Sequence, residues 1–350
     1  MAKTVVGLDV GSRSVRAVEV SNPRSARPSV GRFAEFPLSG SVTSAGDVTD
    51  QAGLASALKQ LWRNGKFSSK NVMLGIGGVR VFARDVELPQ MSPQQLKQSL
   101  QYHVQDLLPM PASDAVMDFV PLRDGTGPAG PVVTGLLVAA PKSSVMALVN
   151  SARLAGLNPI GVDLVAFAVA RVQSRAVAAH GSVAFVDIGA GTTSVAIASE
   201  GVPVFIRMVP LGGDDVTRAL MRRLDLSESA AETAKRATGF RQVPAGATPE
   251  QTTTGETINQ VAGELLTSIR TTVQYYTSNN LGAPITSIVL SGGGARLDGL
   301  ALGLREYTRL DVAFVDPSST FDQNGPVRNS RPQDWEPMTV ALGLALGGSK

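Results

Sequence analysis

Apolar and polar positions divide this chain into short strand-like runs and longer helical stripes. Thr4 to Leu8 and Val15 to Val20 are compact apolar runs around a glycine turn, and Phe33 to Leu38 follows. The pattern predicts buried strands, the first two forming a hairpin. A loop rich in Ser, Gly and Thr (Ser39 to Thr49) leads to a helix whose Leu54, Leu58 and Leu61 share one face, and Val72 to Ile76 is expected to close the sheet. Near Arg84 the pattern changes. Ser92 and Pro93 read as the N-cap and first residue of a helix running through Leu96, Leu100 and Val104. Strands at Val116 to Leu122 and Val132 to Ala139, joined by the turn Asp124 to Pro131, precede a helix with Val145, Leu148, Val149 and Leu154. This is a small α/β module.

A helix over Val165 to Val172 connects to a second lobe that begins near Ser182. Its strand Val204 to Val209 runs into Leu211-Gly212-Gly213-Asp214-Asp215-Val216, which should start a helix with its N-terminus toward a cleft. Helices through Leu224 and from Ser227 to Thr238 follow. In a long third one, Ile258, Val261, Leu265, Ile269, Val273 and Tyr276 recur at three- and four-residue steps, a packing stripe. Asp316 to Glu336, polar and proline-containing, reads as a surface loop, and Met338 to Leu346 as a short last helix with small residues at Ala341 and Gly343.

One idea occurs twice. Val6-Gly7-Leu8-Asp9-Val10-Gly11-Ser12 and Val186-Asp187-Ile188-Gly189-Ala190-Gly191-Thr192-Thr193 are each an apolar strand, an aspartate and a Gly-rich turn. Glycine lets backbone N–H groups approach an anion closely. Ser12, Thr192 and Thr193 could donate to phosphate oxygens, while Asp9 and Asp187 are placed to hold Mg²⁺ directly or through its waters. A single copy is equally a ligand-free hairpin; two copies facing each other suit a triphosphate. A third strand, Ile288 to Ser291, enters Gly292-Gly293-Gly294-Ala295-Arg296, whose bare backbone could take an adenine ring or a phosphate, or be only a tight turn before a helix with Leu297, Leu300, Leu304 and Tyr307. Glu232 and Lys235, three apart on a helix, could serve a nucleoside or be a solvated ion pair.

The order of these four elements resembles the actin-like ATPase superfamily, and within it the PilM family of type IV pilus assembly proteins, relatives of the division protein FtsA. The matching stretches are Gly7 to Gly11, Leu88 to Pro109, Asp187 to Thr193, Ser291 to Leu300 and Thr339 to Ala345. The resemblance implies an α/β, ribonuclease H-like duplicated, two-lobe fold with a small α/β subdomain inserted in the first lobe. Residues 1–83, 163–181 and 335–350 would form the first-lobe core and 84–162 the insertion. Residues 182–212 and 284–334 would form the second-lobe core, and 213–283 a mainly helical nucleoside-binding subdomain. It implies ATP and Mg²⁺ between the lobes, on Asp9, Gly11, Ser12, Arg13, Asp187, Gly189, Gly191, Thr192 and Thr193. The nucleoside would lie against Glu232, Lys235 and the turn Gly292 to Arg296. By the same match Asp163 would position the attacking water; alternatively it only caps the following helix. The cytoplasmic tail of the inner-membrane protein PilN would bind as an extended peptide between first-lobe core and insertion. Apolar strand edges in Val116 to Leu122 and Val132 to Val138 would suit that mode. Other inner-membrane pilus components and self-association are further partner classes.

Composition narrows this picture. The 350 residues, 43% hydrophobic, can bury the core of two or more lobes. With 32 basic against 29 acidic residues and no basic stripe interleaved with aromatics, nucleic acid is not an expected partner. The absence of cysteine excludes disulfides and cysteine-ligated zinc, and His103 and His180 alone make no histidine-rich metal site. The N-terminal residues do not read as a signal peptide, and the longest apolar stretch, Val132 to Ala140, is shorter than the roughly 18 to 20 residues that span a bilayer. Past the last helix come only Gly347 to Lys350, too few to make the amphipathic basic tail of FtsA, so membrane contact is expected through a partner, at the inner face of the cytoplasmic membrane. The reading is an ATP-binding scaffold of the pilus machinery, with slow ATPase activity open. Rivals are an FtsA-like filament former and a small-molecule kinase of the same fold.

Overall fold

The computed structural model describes residues 4–40, 42–128, 130–177 and 181–348; His180 lies outside them. The first lobe opens with β1 (Thr4–Val10), β2 (Ser14–Ser21), β3 (Ser29–Pro37), the small pair β4 (Thr43–Ser44) and β5 (Asp47–Val48), α1 (Gln51–Gly65) and β6 (Asn71–Ile76). The insertion is β7 (Phe82–Pro89), α2 (Pro93–Val104), β8 (Ala115–Gly127) and β9 (Gly130–Pro141). The chain returns through α3 (Lys142–Leu154), β10 (Asn158–Leu164) and α4 (Val165–Ala176). The second lobe contains β11 (Ser182–Ile188), β12 (Thr193–Ser199), β13 (Val202–Val209), α5 (Gly213–Leu224), α6 (Glu228–Thr238), α7 (Pro249–Asn279), β14 (Ile285–Ser291), α8 (Leu300–Thr308) and β15 (Asp311–Phe314). Then come β16 (Asp322–Gln323), α9 (Pro332–Trp335) and α10 (Thr339–Gly347).

The duplication seen in the two Asp-Gly motifs extends to whole sheets. The first runs β10-β6-β1-β2-β3-β16 and the second β15-β14-β11-β12-β13, so each is an antiparallel meander of three strands with two parallel strands added beside the first. The outer face of the first sheet is covered by α1 and α3, through Leu54, Leu58, Leu148 and Ala152; that of the second is covered by α7 and α8, through Leu266, Ile269, Leu300 and Leu304. Between the sheets lie α4 and α10. Ala166, Val169 and Ala170 of α4 pack with Phe185, Ala196 and Val289 of the second sheet, while Ala341, Leu342 and Ala345 of α10 pack with Val18 and Val20 of the first.

Glycine makes this central layer thin. A Cβ on Gly7 would stand 1.8 Å from Ala341 O, and one on Gly343 would stand 2.1 Å from Ala168 O. α10 therefore lies backbone to backbone on both β1 and α4, which no larger residue at these positions permits. The small residues in the last helix exist for this contact.

Three expectations need correction. Val72 to Ile76 does not close the first sheet, because β10 pairs parallel outside it, Asn158 against Asn71. With β10 in the sheet and α3 packed on α1, the inserted unit is the three-stranded β7-β9-β8 with α2, ending by Pro141 rather than at 162. Nor is 316–336 simply a surface loop: β16 pairs with β3, and Phe321, Val327 and Trp335 are buried, with Trp335 at 0% exposure packed at a tilt against Phe33 and edge-on to Phe321. Three apolar residues scattered through a polar stretch carry no periodic signal, so pattern reading misses a segment that folds only by covering a sheet edge. The N-cap reading at Ser92 holds: its hydroxyl accepts from Gln95 N–H in a capping box.

Candidate functional site

Both aspartate hairpins are built the same way. Gly11 N–H donates to Ser14 O at 3.0 Å, and Gly189 N–H donates to Thr192 O at 2.9 Å. Each turn thus begins two residues beyond its aspartate. The two turns abut, since a Cβ on Gly191 would lie 3.0 Å from Ser12 Oγ. The third glycine turn seats on the second: Gly292 adopts φ +86°, and a Cβ there would be 2.4 Å from Ile188 O. The start of α5 is tied to the same turn by Gly213 N–H to Gly189 O (3.0 Å) and Asp214 N–H to Ala190 O (2.8 Å).

These elements enclose a cavity of about 610 Å³ between the lobes. Its wall includes Asp9, Gly11, Ser12, Arg13, Asp187, Gly189, Gly191, Thr192, Glu232, Lys235, Gly292, Gly293, Gly294 and Arg296. Thr193 and Ala295 are not on it. Both are buried, and the Thr193 hydroxyl donates to Leu211 O at 2.8 Å, fastening β12 to the loop before α5. Asp163 also lies elsewhere. Its carboxylate pairs with Arg171 at 2.8 Å and accepts from Leu164 N–H, and Arg171 in turn reaches Gly343 O at 2.6 Å. Val165, not Asp163, faces the cavity from this connection. In this arrangement Asp163 on β10 holds Arg171, which ties α4 to α10.

The two aspartates are held differently. Asp9 is pushed up to about 6, first by burial and also by the charge of Asp187, with Arg16 opposing. Arg16 stands 3.6 Å from Asp9 and 2.9 Å from Glu35. Asp187 is also raised, first by burial, while a 2.8 Å hydrogen bond from Ser291 opposes. Nearer the mouth, Lys235 Nζ donates to Glu232 (2.6 Å), Thr217 Oγ1 (2.8 Å) and Gly213 O (3.0 Å). Burial works to raise Glu232, but hydrogen bonds from Lys235 and Thr217, with the charges of Lys235 and Arg13, outweigh it and hold the carboxyl below its usual range. Arg13 crosses from the first lobe to Asp214, to Glu228 at 2.9 Å and to Glu232 at 3.4 Å. Arg296 crosses the other way, to Glu336 at 2.7 Å.

Sequence reasoning missed Arg16, Glu35, Asp214 and Glu336 on this wall. A signal existed for the first two: Asp9 sits opposite Arg16, and Arg16 opposite Glu35, in the registers of β1, β2 and β3. The hairpin lengths could have revealed that charged row. Glu336 had no signal, because its place depends on the wrapped 316–335 segment.

Two sheets of one topology, each presenting an aspartate hairpin to a shared interlobe cavity, define the actin-like ATPase fold. Within it, the chain belongs to the PilM family: the family model described as type IV pilus assembly protein PilM matches residues 7–349. A solved PilM-PilN type IV pilus biogenesis complex contains a chain 27% identical, with TM-score 0.84, over 99% of this chain and 98% of that one. The ethanolamine utilization protein EutJ of Carboxydothermus hydrogenoformans (16% identity, TM-score 0.57, 99% and 90% covered) shares the fold. So does MreB 5 of Spiroplasma citri, solved with AMPPNP bound (13% identity, TM-score 0.52, 98% and 95% covered). Among the described residues no helix is long and apolar enough to cross a membrane.

Proposed function

We propose that this chain is a cytoplasmic, nucleotide-binding scaffold of the type IV pilus machinery, which takes Mg-ATP between its lobes and docks the cytoplasmic tail of a PilN-type inner-membrane protein. The observation carrying the nucleotide reading is the pair of matched hairpins whose aspartates line one cavity, with the charge of Asp187 adding to the cost of ionising Asp9. Two carboxylates lining one cavity suit a divalent cation, which would favour their charged forms. Among the described residues no group of three or more ligating side chains gathers, so Asp9 and Asp187 would share the ion with water and phosphate oxygens. Ser12, Gly11, Gly189, Gly191 and Thr192 would face the phosphates, and Glu232, Lys235 and Gly292 to Arg296 the nucleoside. With Asp163 turned away and Val165 in its place, holding the nucleotide is favoured over rapid turnover. Mg-ATP titration against wild type and Asp187→Ala tests the site.

The tail reading draws on the structural match to the PilM-PilN complex and on a second cavity of about 810 Å³ where the insertion meets the core. Val79, Phe82, Met110 and Met146 give it an apolar wall, with Arg80 and Lys142 beside them. The strand-edge contacts expected at 132–138 have no support, since β9 is the central strand of its sheet. Val79 and Met146 are each 40% exposed, so Val79→Asp and Met146→Glu should leave folding intact. Each should weaken a fluorescent PilN-tail peptide by about tenfold or more. Tight binding to both variants would reject this groove. Docking of that tail would hold the protein at the inner face of the membrane.

A further inference from the structure

The net charge of +3 is not spread evenly. No Asp or Glu occurs between Glu19 and Glu35, between Asp50 and Asp85, or between Asp124 and Asp163. Strand directions bring parts of these three acid-free segments to one place. β1, β6 and β10 are parallel and start at the end of the sheet remote from the cleft, where the β2–β3 turn also lies. That pole therefore carries Arg24 and Arg27 on the turn, Lys66 and Lys70 before β6, Arg63 in the last turn of α1 and Arg153 in the last turn of α3.

Little acid answers these cations. Arg27 pairs with Asp322 at 2.9 Å. Glu19, nearby, is buried and already neutralised by Arg32 at 2.8 Å and by Ser68 and Ser69. Among the described residues Arg24, Arg63, Lys66, Lys70 and Arg153 are in no ion pair. Helix dipoles account for Arg63 and Arg153, which sit where carbonyls point outward. They act on Lys66 as well, the C-cap of α1, but not on Arg24 or Lys70, which are on loops. Gathering unpaired like charges costs free energy by self-repulsion, so the array calls for an external anion.

Its shape indicates which kind. From the β3 end to the β10 end is four strand-to-strand steps, about 20 Å at the usual spacing, far wider than one phosphate. Leu154 (58% exposed) and Ile160 (39%) stand among the cations. The aromatics near the pole, Trp62 and Phe67, pack on each other with ring centroids 5.0 Å apart rather than offering faces to nucleic-acid bases. A broad cationic surface with exposed aliphatic side chains fits the headgroup plane of an anionic membrane.

We infer that the pole of the first lobe opposite the nucleotide cavity binds the surface of an anionic bilayer directly. It is a second attachment beside the proposed tail docking, and it needs no partner protein. The tail reading supplies only the reason that a bilayer is close at hand.

The test is sedimentation of the full chain with vesicles, without any peptide. Vesicles containing phosphatidylglycerol should carry the protein down at low salt and release it as salt rises, and pure phosphatidylcholine vesicles should not. Replacing Arg24, Lys66 and Lys70 together by Gln should weaken partitioning by about fivefold per side chain. Lys97→Gln, on the exposed face of α2, should change nothing. Unaltered Mg-ATP binding would show that the triple variant is folded. Equal binding to neutral vesicles, an unaffected triple variant, or full competition by free inorganic phosphate would each overturn the proposal. Failure here leaves tail docking standing, and failure of the tail peptide to bind leaves this standing.

Discussion

The two aspartate hairpins have one backbone and two electrostatic settings. In the first, the residue opposite the aspartate across the strand pair is Arg16; in the second, the residue opposite Asp187 is Ser194. Asp9 therefore sits in a row of alternating charge with Arg16 and Glu35 across three strands, whereas among the described residues the side-chain hydrogen bond to Asp187 comes from the Ser291 hydroxyl. A duplicated fold has kept its turn geometry and divided the chemistry. The first hairpin brings its own cation, and the second has none of its own but feels the charge of the same Arg16.

The sharpest test of that division is to remove each carboxylate. Asp187→Ala takes away charge that nothing else in the hairpin supplies, and Mg-ATP affinity should fall by about a hundredfold, or about 2.7 kcal/mol. Asp9→Ala also frees Arg16, whose guanidinium can then turn to the phosphates, so the loss should be nearer tenfold. Isothermal titration at fixed Mg²⁺ compares them directly. Equal losses would mean that Arg16 does not compensate and that the asymmetry has no functional weight.

Much of this contrast was open to sequence reading, but not all. The hairpins, the glycine turns, the Ser92 cap and the stripe of α7 are local, set by residues within a few positions of one another, and pattern identifies them. The charged row needs strand registers as well as motifs. The side to which Asp163 points, the place of β10 and the burial of Trp335 depend on pairings across more than 80 residues, and neither periodicity nor motif spacing encodes them.

Proton linkage gives a second, smaller handle on the first hairpin. In the nucleotide-free protein Asp9 titrates near 6 against a usual 3.8, so between about pH 4 and 6 the folded state binds more protons than the unfolded one. Asp9 thus favours folding on the acid side of that window, and the benefit is lost as pH rises through 6, by up to about 1.4 kcal/mol per pH unit. Asp187 shifts in the same direction. Denaturation midpoints measured from pH 4 to 7 should show this slope flattened in Asp9→Asn, with Mg-ATP opposing it in the wild type. A slope untouched by Asp9→Asn would mean that Arg16 already keeps the carboxylate ionised.

The smallest expected effect concerns Asp163. Its carboxylate is engaged by Arg171, which also holds the carbonyl of Gly343, where α10 and α4 touch backbone to backbone. Removing that charge should loosen the layer between the lobes, not the chemistry. Asp163→Asn keeps the shape and one acceptor oxygen, so any ATP turnover should stay within about twofold of wild type, while thermal stability falls by about 1 to 2 kcal/mol from the weakened pair. Restoring the lost stability with a low concentration of stabilising osmolyte should leave turnover unchanged. A drop in turnover of tenfold or more at full folding would return Asp163 to the reaction, and would require a lobe arrangement in which β10 presents its other face to the cleft.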